Sequence, residues 1–194
     1  MKIRNITTCV LLSLTLSAAV FAAPPQAKSE AKPTFASVLD AAFNRTEKTV
    51  VPAADAMPDD KYTFAPAQAL GDFKGVRDFG SEVKHIAVAN YAYAASILGE
   101  KPPVDLGAGP NGPDSIKSKA DIMKFLNDSF AYAHKAINSI TEANILEPIK
   151  PPFGSGTTTR LALAVGLSAH PYDHYGQMVE YLRMNSIIPP ASRK

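Results

Sequence analysis

Apolar positions recur at three- and four-residue steps through four long stretches of this chain. The first runs from about Thr34: Val38, Leu39, Ala42, Phe43, Thr46, Val50 and Ala53-Ala54 fall on one side of a helical wheel. Thr34 or Ser37 can cap it, and Pro52 is expected to kink or end it. The second runs from about Val76 to Leu98 and stops at Gly99, with Val83, Ile86, Ala87, Asn90, Tyr93, Ala94 and Ile97 as its stripe. The third, about Lys117 to Ala143, has a clean 3.6-residue period in Ile122, Phe125, Leu126, Phe130, Ala133, Ile137 and Ile140. The fourth, about Thr159 to Asn185, follows a capping threonine and carries Leu163, Val165, Leu167, Met178, Tyr181 and Leu182. No stretch alternates as a strand of convincing length.

Four amphipathic segments predict an all-α fold, a four-helix bundle. The segments between them are Pro- and Gly-rich: Met57–Asp78, Glu100–Ser115 and Asn144–Thr158. They are longer than antiparallel hairpins need, so crossover connections are allowed without being specified. Tyr62, Phe64 and Phe73 in the first of them, with Phe79 just after it, are expected to plug one end of the bundle.

The segment ahead of the first helix has a different pattern. Lys2 and Arg4 precede an apolar run from Cys9 to Val20, and Val20-Phe21-Ala22 fits a small-x-small cleavage site. Residues 1–22 therefore read as a secretory signal, and the mature protein is expected to be periplasmic or secreted. The run is shorter than the ~20 residues of a spanning helix, and no stable membrane association is expected after cleavage. Residues 23–33 are Pro-rich and polar and read as a disordered tether; residues 34–194 form the folded domain.

Composition then narrows the chemistry. Cys9 is the one cysteine of the chain and leaves with the signal, which excludes a disulfide, a thiolate metal ligand and a thiol nucleophile in the mature protein. The signal also carries two of the twenty basic residues and none of the eighteen acidic ones. The mature chain is thus neutral, which argues against a nucleic-acid partner.

The chain has four histidines, and two of them stand four apart in His170-Pro171-Tyr172-Asp173-His174. Residues four apart on a helix lie one above the other, so both imidazoles can face one ion. The pair continues the apolar stripe of the fourth segment, and buried histidines need partners; a metal satisfies both. His85, early in the second segment at the edge of its stripe, is the best third ligand. His134 flanks the stripe of the third segment and reads as a solvent-edge residue. Three histidines leave coordination positions open, as in catalytic or exchangeable sites. The pattern is not H-E-x-x-H, since Pro171 occupies the position of the glutamate base. Asp173 reads either as an acceptor for His170 or, more simply, as an exposed helix carboxylate. Tyr93, Tyr175 and Asn90 either line a pocket or only pack.

Two stretches carry a resemblance. Met57-Pro58, Tyr62-x-Phe64-x-Pro66 and Val76-Arg77-x-Phe79-Gly80-x-x-Val83-x-His85-x-Ala87-x-x-Asn90 resemble the first half of DinB-like four-helix metalloproteins. His170-x-x-x-His174-Tyr175-Gly176-Gln177, Tyr181-Leu182-Arg183 and Ile188-Pro189-Pro190 resemble their C-terminal part. The resemblance implies an up-down-down-up bundle and a divalent metal, commonly zinc or nickel, on His85, His170 and His174. It also implies either a metal-dependent transferase or hydrolase acting on a small molecule, or a non-catalytic metal-binding or interaction bundle; some relatives transfer low-molecular-weight thiols. A homodimer is left open. Two features depart from the pattern. Pro171 removes a helix hydrogen bond to the Leu167 carbonyl and disfavours helical geometry at His170, which leaves open whether a kink displaces His170 from the site. Export removes the protein from the thiols that the transferase relatives use.

Overall fold

A computed structural model describes residues 32–193. The signal, Cys9 and nearly all of the expected tether lie outside the described residues. Four helices make up the domain: α1 (Phe35–Ala56), α2 (Phe79–Leu98), α3 (Lys119–Asn138) and α4 (Arg160–Met184). Two-residue strands β1 (Pro148–Ile149) and β2 (Thr158–Thr159) pair antiparallel and close the base of the loop before α4. Among the described residues, no helix is long and apolar enough to cross a membrane.

The helix starts follow from capping side chains. Thr34 and Ser37 form a reciprocal capping box at α1. Asp78 accepts from the Ser81 amide at 2.7 Å, so α2 begins at Phe79, three residues later than the apolar pattern suggested. Ser118 caps α3 and Thr159 caps α4. The α3 helix ends at Asn138, earlier than expected. Beyond it, Thr141 and Asn144 exchange side-chain-to-backbone bonds that hold a turn in place of further helix. Gly99 ends α2 in the left-handed conformation at φ 71°.

Neither proline inside a helix ends it. Pro52 leaves the Lys48 carbonyl without its amide donor, but both residues are exposed and water can serve that carbonyl. Pro171 is buried, and α4 nevertheless runs on to Met184.

The connectivity can be read from contacts between helix ends. Lys119 at the start of α3 reaches Asp55 near the end of α1, while Asp40 near the start of α1 meets His134 and Asn138 at the end of α3. These two helices are therefore antiparallel. Lys84 near the start of α2 bonds carbonyls of Pro113 and Ile116 just before α3, and Tyr132 of α3 bonds Glu100 just after α2, so α2 and α3 are parallel. Arg160 opening α4 bonds the Ile97 carbonyl at the end of α2, and Tyr181 near the end of α4 bonds the Arg77 carbonyl before α2. The order is up-down-down-up. Each of α1 and α2 packs against α3 and α4. Consecutive pairs α1/α2 and α3/α4 thus sit on diagonals, which is why their connections are long.

The core is a single cluster. Phe43, Val50, Phe79, Ile86, Leu126, Phe130, Leu167 and Met178 are fully buried. Side-chain burial of this kind contributes about 1.5–3 kcal/mol per large apolar residue. Tyr62 and Phe79 do plug one end, edge to face at 5.4 Å, with Phe64 half-buried against Tyr181. Gly80 permits this plug, since a Cβ there would lie 3.1 Å from the Tyr62 carbonyl oxygen.

Candidate metal centre

His85 projects from the second turn of α2, and His170 and His174 from successive turns of α4. Antiparallel packing of these helices brings the three rings together. The Nε2 atom of His170 lies 3.2 Å from that of His85 and 3.1 Å from that of His174. Pro171 has therefore not moved His170 out of the site. His174 is buried at 6% exposure, and the other two are half-buried.

The tautomers follow from the outer partners. Nδ1 of His85 sits 2.7 Å from the Pro110 carbonyl, which can only accept, so Nδ1 carries the proton. Nδ1 of His174 sits 2.7 Å from Oε2 of Glu82 and donates to it in the same way. Both rings then present bare Nε2 lone pairs to His170. A proton on His170 Nε2 can satisfy only one of them. The buried Nδ1 of His170 has no protein partner in either state. Without a cation, the cluster faces lone pair against lone pair.

A divalent ion fits this arrangement. Zn–N bonds of about 2.0–2.1 Å at tetrahedral angles place nitrogens about 3.3–3.4 Å apart, and right angles place them about 2.9 Å apart. The two measured separations fall between these values. Burial lowers the pKa of His85, and the same cause, helped by its neighbours His174 and His85, lowers that of His170 to about 4. Neutral rings at physiological pH are what metal ligation requires. Among the described residues, His85, His170 and His174 are the group of histidine and carboxylate side chains placed to hold an ion.

Behind the histidines is a carboxylate that the sequence pattern did not single out. Glu82 is 1% exposed, and Arg77 Nη1 lies 3.7 Å from its other oxygen. Its signal was Glu82-Val83-Lys84-His85, an acid three residues before a histidine on one helix face. Asp173 is exposed, as its simpler reading held, and the carboxylate bonded to the site is Glu82 instead. The loop before α3 matters as well. Pro110 orients His85, and Asn111 accepts from Arg77 Nε at 2.7 Å.

The remaining candidates separate cleanly. His134 stands in a different cluster, with Nδ1 2.6 Å from Asp40 and Nε2 3.1 Å from Glu47. Asn90 is buried and bonds Ser129, a packing role. Tyr175 is half-buried against the core. Tyr93 lines a cavity of about 280 Å³ beside His85 and His170.

Up-down-down-up helices with three histidines converging between α2 and α4 define a four-helix bundle with a cluster able to hold a metal ion. The DinB superfamily model matches residues 42–178, a span that contains all three histidines, and the chain belongs to that metal-binding family. No curated protein matches the chain.

Proposed function

We propose that the protein is an exported metalloprotein in which His85, His170 and His174 hold a divalent ion, zinc or nickel, and act on a small molecule as a transferase or hydrolase. One observation carries this reading: three bare or neutral nitrogens converge and no fourth protein ligand joins them among the described residues. The cluster instead borders a cavity between His85 and His170. An open position facing a cavity is the mark of catalytic rather than structural sites. A bound divalent ion supplies Lewis-acid polarisation of a small ligand. The protein's own groups orient the rings: Pro110 and Glu82 hold the protons on Nδ1, and Tyr93 lines the cavity with a phenol whose pKa burial raises.

A second reading has its own support. No Asp, Glu or Lys lines that cavity, so the chain offers no carboxylate or amine base there. This favours a bundle that binds or carries its metal without chemistry.

Elemental analysis tests the metal. The wild type is expected to retain one divalent ion per chain after expression with zinc and nickel supplied, and His174→Ala to lose it. Absence of stoichiometric metal in the wild type refutes both readings. Chelator-sensitive turnover in a panel of small esters and thiol–electrophile pairs separates them; a fully loaded protein without turnover supports carriage.

A further inference from the structure

The cavity beside the histidines has walls of one kind. Val88 and Ala89 come from α2, Pro110 from the loop before α3 and Phe153 from the loop before α4. Its polar contributions are His85, His170 and Tyr93. Its volume, about 280 Å³, is small for an organic ligand site. Phe153 also lines a separate cleft of about 580 Å³ that contains Glu100, Lys150 and Arg160. The charged groups therefore lie in the other cleft.

Tyr93 is held in place from three sides. Its ring lies 5.9 Å from Phe153 and 6.1 Å from His170, edge to face in both cases. On the third side, a Cβ at Gly166 of α4 would come within 3.3 Å of Tyr93 Cε2, so the glycine makes room for the ring. The hydroxyls of Tyr62, Tyr132 and Tyr181 all bond protein groups. The hydroxyls of Tyr91, Tyr93, Tyr172 and Tyr175 make no protein hydrogen bond among the described residues, and of these four Tyr93 alone lines the cavity with His85 and His170. A phenol lining a ligand cavity is a hydrogen-bond donor that a ligand in that cavity can use.

We propose that this cavity selects a compact organic monoanion, with its anionic head at the histidine cluster beside the Tyr93 hydroxyl and an uncharged apolar body against Val88, Ala89 and Phe153. The inference rests on the metal reading above and adds the class of ligand. At the packing density of protein interiors, the cavity accommodates about ten non-hydrogen atoms. A second charge on the body would be buried against apolar walls without a counter-ion, which is strongly unfavourable. Tyr93 is then a ligand-contacting residue, donating to the head group.

The test uses the mature protein loaded with cobalt(II), whose visible spectrum reports changes at the ion. Hexanoate and adipate share a six-carbon chain and differ in the second carboxylate. Hexanoate is expected to shift the spectrum and to bind at least tenfold more tightly than adipate. Tyr93→Phe is expected to weaken hexanoate about fivefold, the loss of one hydrogen bond, with cobalt content unchanged. Equal binding of the two acids overturns the proposal, and so does a Tyr93→Phe variant that binds hexanoate like the wild type. A Tyr93→Phe variant that loses cobalt shows a structural role for this tyrosine and overturns its assignment. Stoichiometric cobalt with no response to either acid overturns the ligand class and leaves the metal reading standing. Failure to take up cobalt overturns both.

Discussion

Replacing Glu82 with glutamine removes a charge from the site and keeps its shape. In the wild type, the His174 Nδ1–H donates to a buried carboxylate at 2.7 Å. A hydrogen bond to a charged group contributes about 1.5–3 kcal/mol and a neutral one about 0.5–1.5. The glutamine oxygen can still accept, so the expected loss is about 1–1.5 kcal/mol of imidazole basicity and orientation. That corresponds to about tenfold weaker metal binding, the lower end of the 10–100-fold range for partners of metal-bound histidines. Arg77 at 3.7 Å already offsets part of the carboxylate's charge, which argues for the lower end. Glu82→Leu deletes the acceptor and is expected to weaken binding further. The metal-free protein behaves differently. Removing a buried charge relieves desolvation, and Arg77 is partly exposed and keeps Asn111, so the apo-protein with glutamine is expected to unfold within about 1 kcal/mol of wild type. Competition titration of zinc against a chromophoric chelator measures the affinity, and denaturant unfolding of the apo-protein measures stability. Glutamine binding zinc within twofold of wild type, or glutamine and leucine weakening it equally, would refute the reasoning.

His134→Ala is expected to leave metal content unchanged, because its ring is tied to Asp40 and Glu47 and packs edge to face against Phe43 away from the site; loss of metal by elemental analysis would contradict this. The same variant carries a pH signature. Burial opposes the charged ring, but Asp40 and Glu47 outweigh it and raise the His134 pKa above 6.5. The contribution of the ion pairs is fully present below that unfolded value and is lost as pH rises through the folded one. The stability gap between wild type and His134→Ala in urea should therefore narrow from pH 6 toward pH 9. Phe130→Ala, at a fully buried site stacked on Phe43, is expected to cost about 3–5 kcal/mol in denaturant unfolding. N-terminal sequencing of the protein from its native cells is expected to begin at Ala23, and retention of Met1 would remove the reading of residues 1–22 as a cleaved signal.

The four helices were legible in the chain because each is a local object: a 3.6-residue stripe with a capping side chain. Where boundaries moved, a short-range hydrogen bond had outweighed the apolar pattern, as with Asp78 at α2 and Thr141–Asn144 after α3. His170 and His174 were legible for the same reason, since one helix places residues four apart side by side. Their nomination of His85 rested on its position beside an apolar stripe, and the packing of α2 against α4 brings it within 3.2 Å of His170.

Tertiary structure alone decided the rest. The sequence near Pro171 leaves open whether the ligand is displaced, because a proline inside a helix costs about 3 kcal/mol locally. The helix continues because Pro171, Leu167 and Met178 are buried against the core, and those contacts outweigh a local penalty that no sequence window can balance. Glu82 and Pro110 lie 92 and 25 residues from the histidines they orient. Nothing in a linear pattern says which carboxylate will be buried beside which ring, or which loop carbonyl will close over it. The chain by itself determined that three histidines could meet in a bundle. Which protons they keep, and what kind of space they face, follow from crossed helices and from two Pro- and Gly-rich loops that read only as connections.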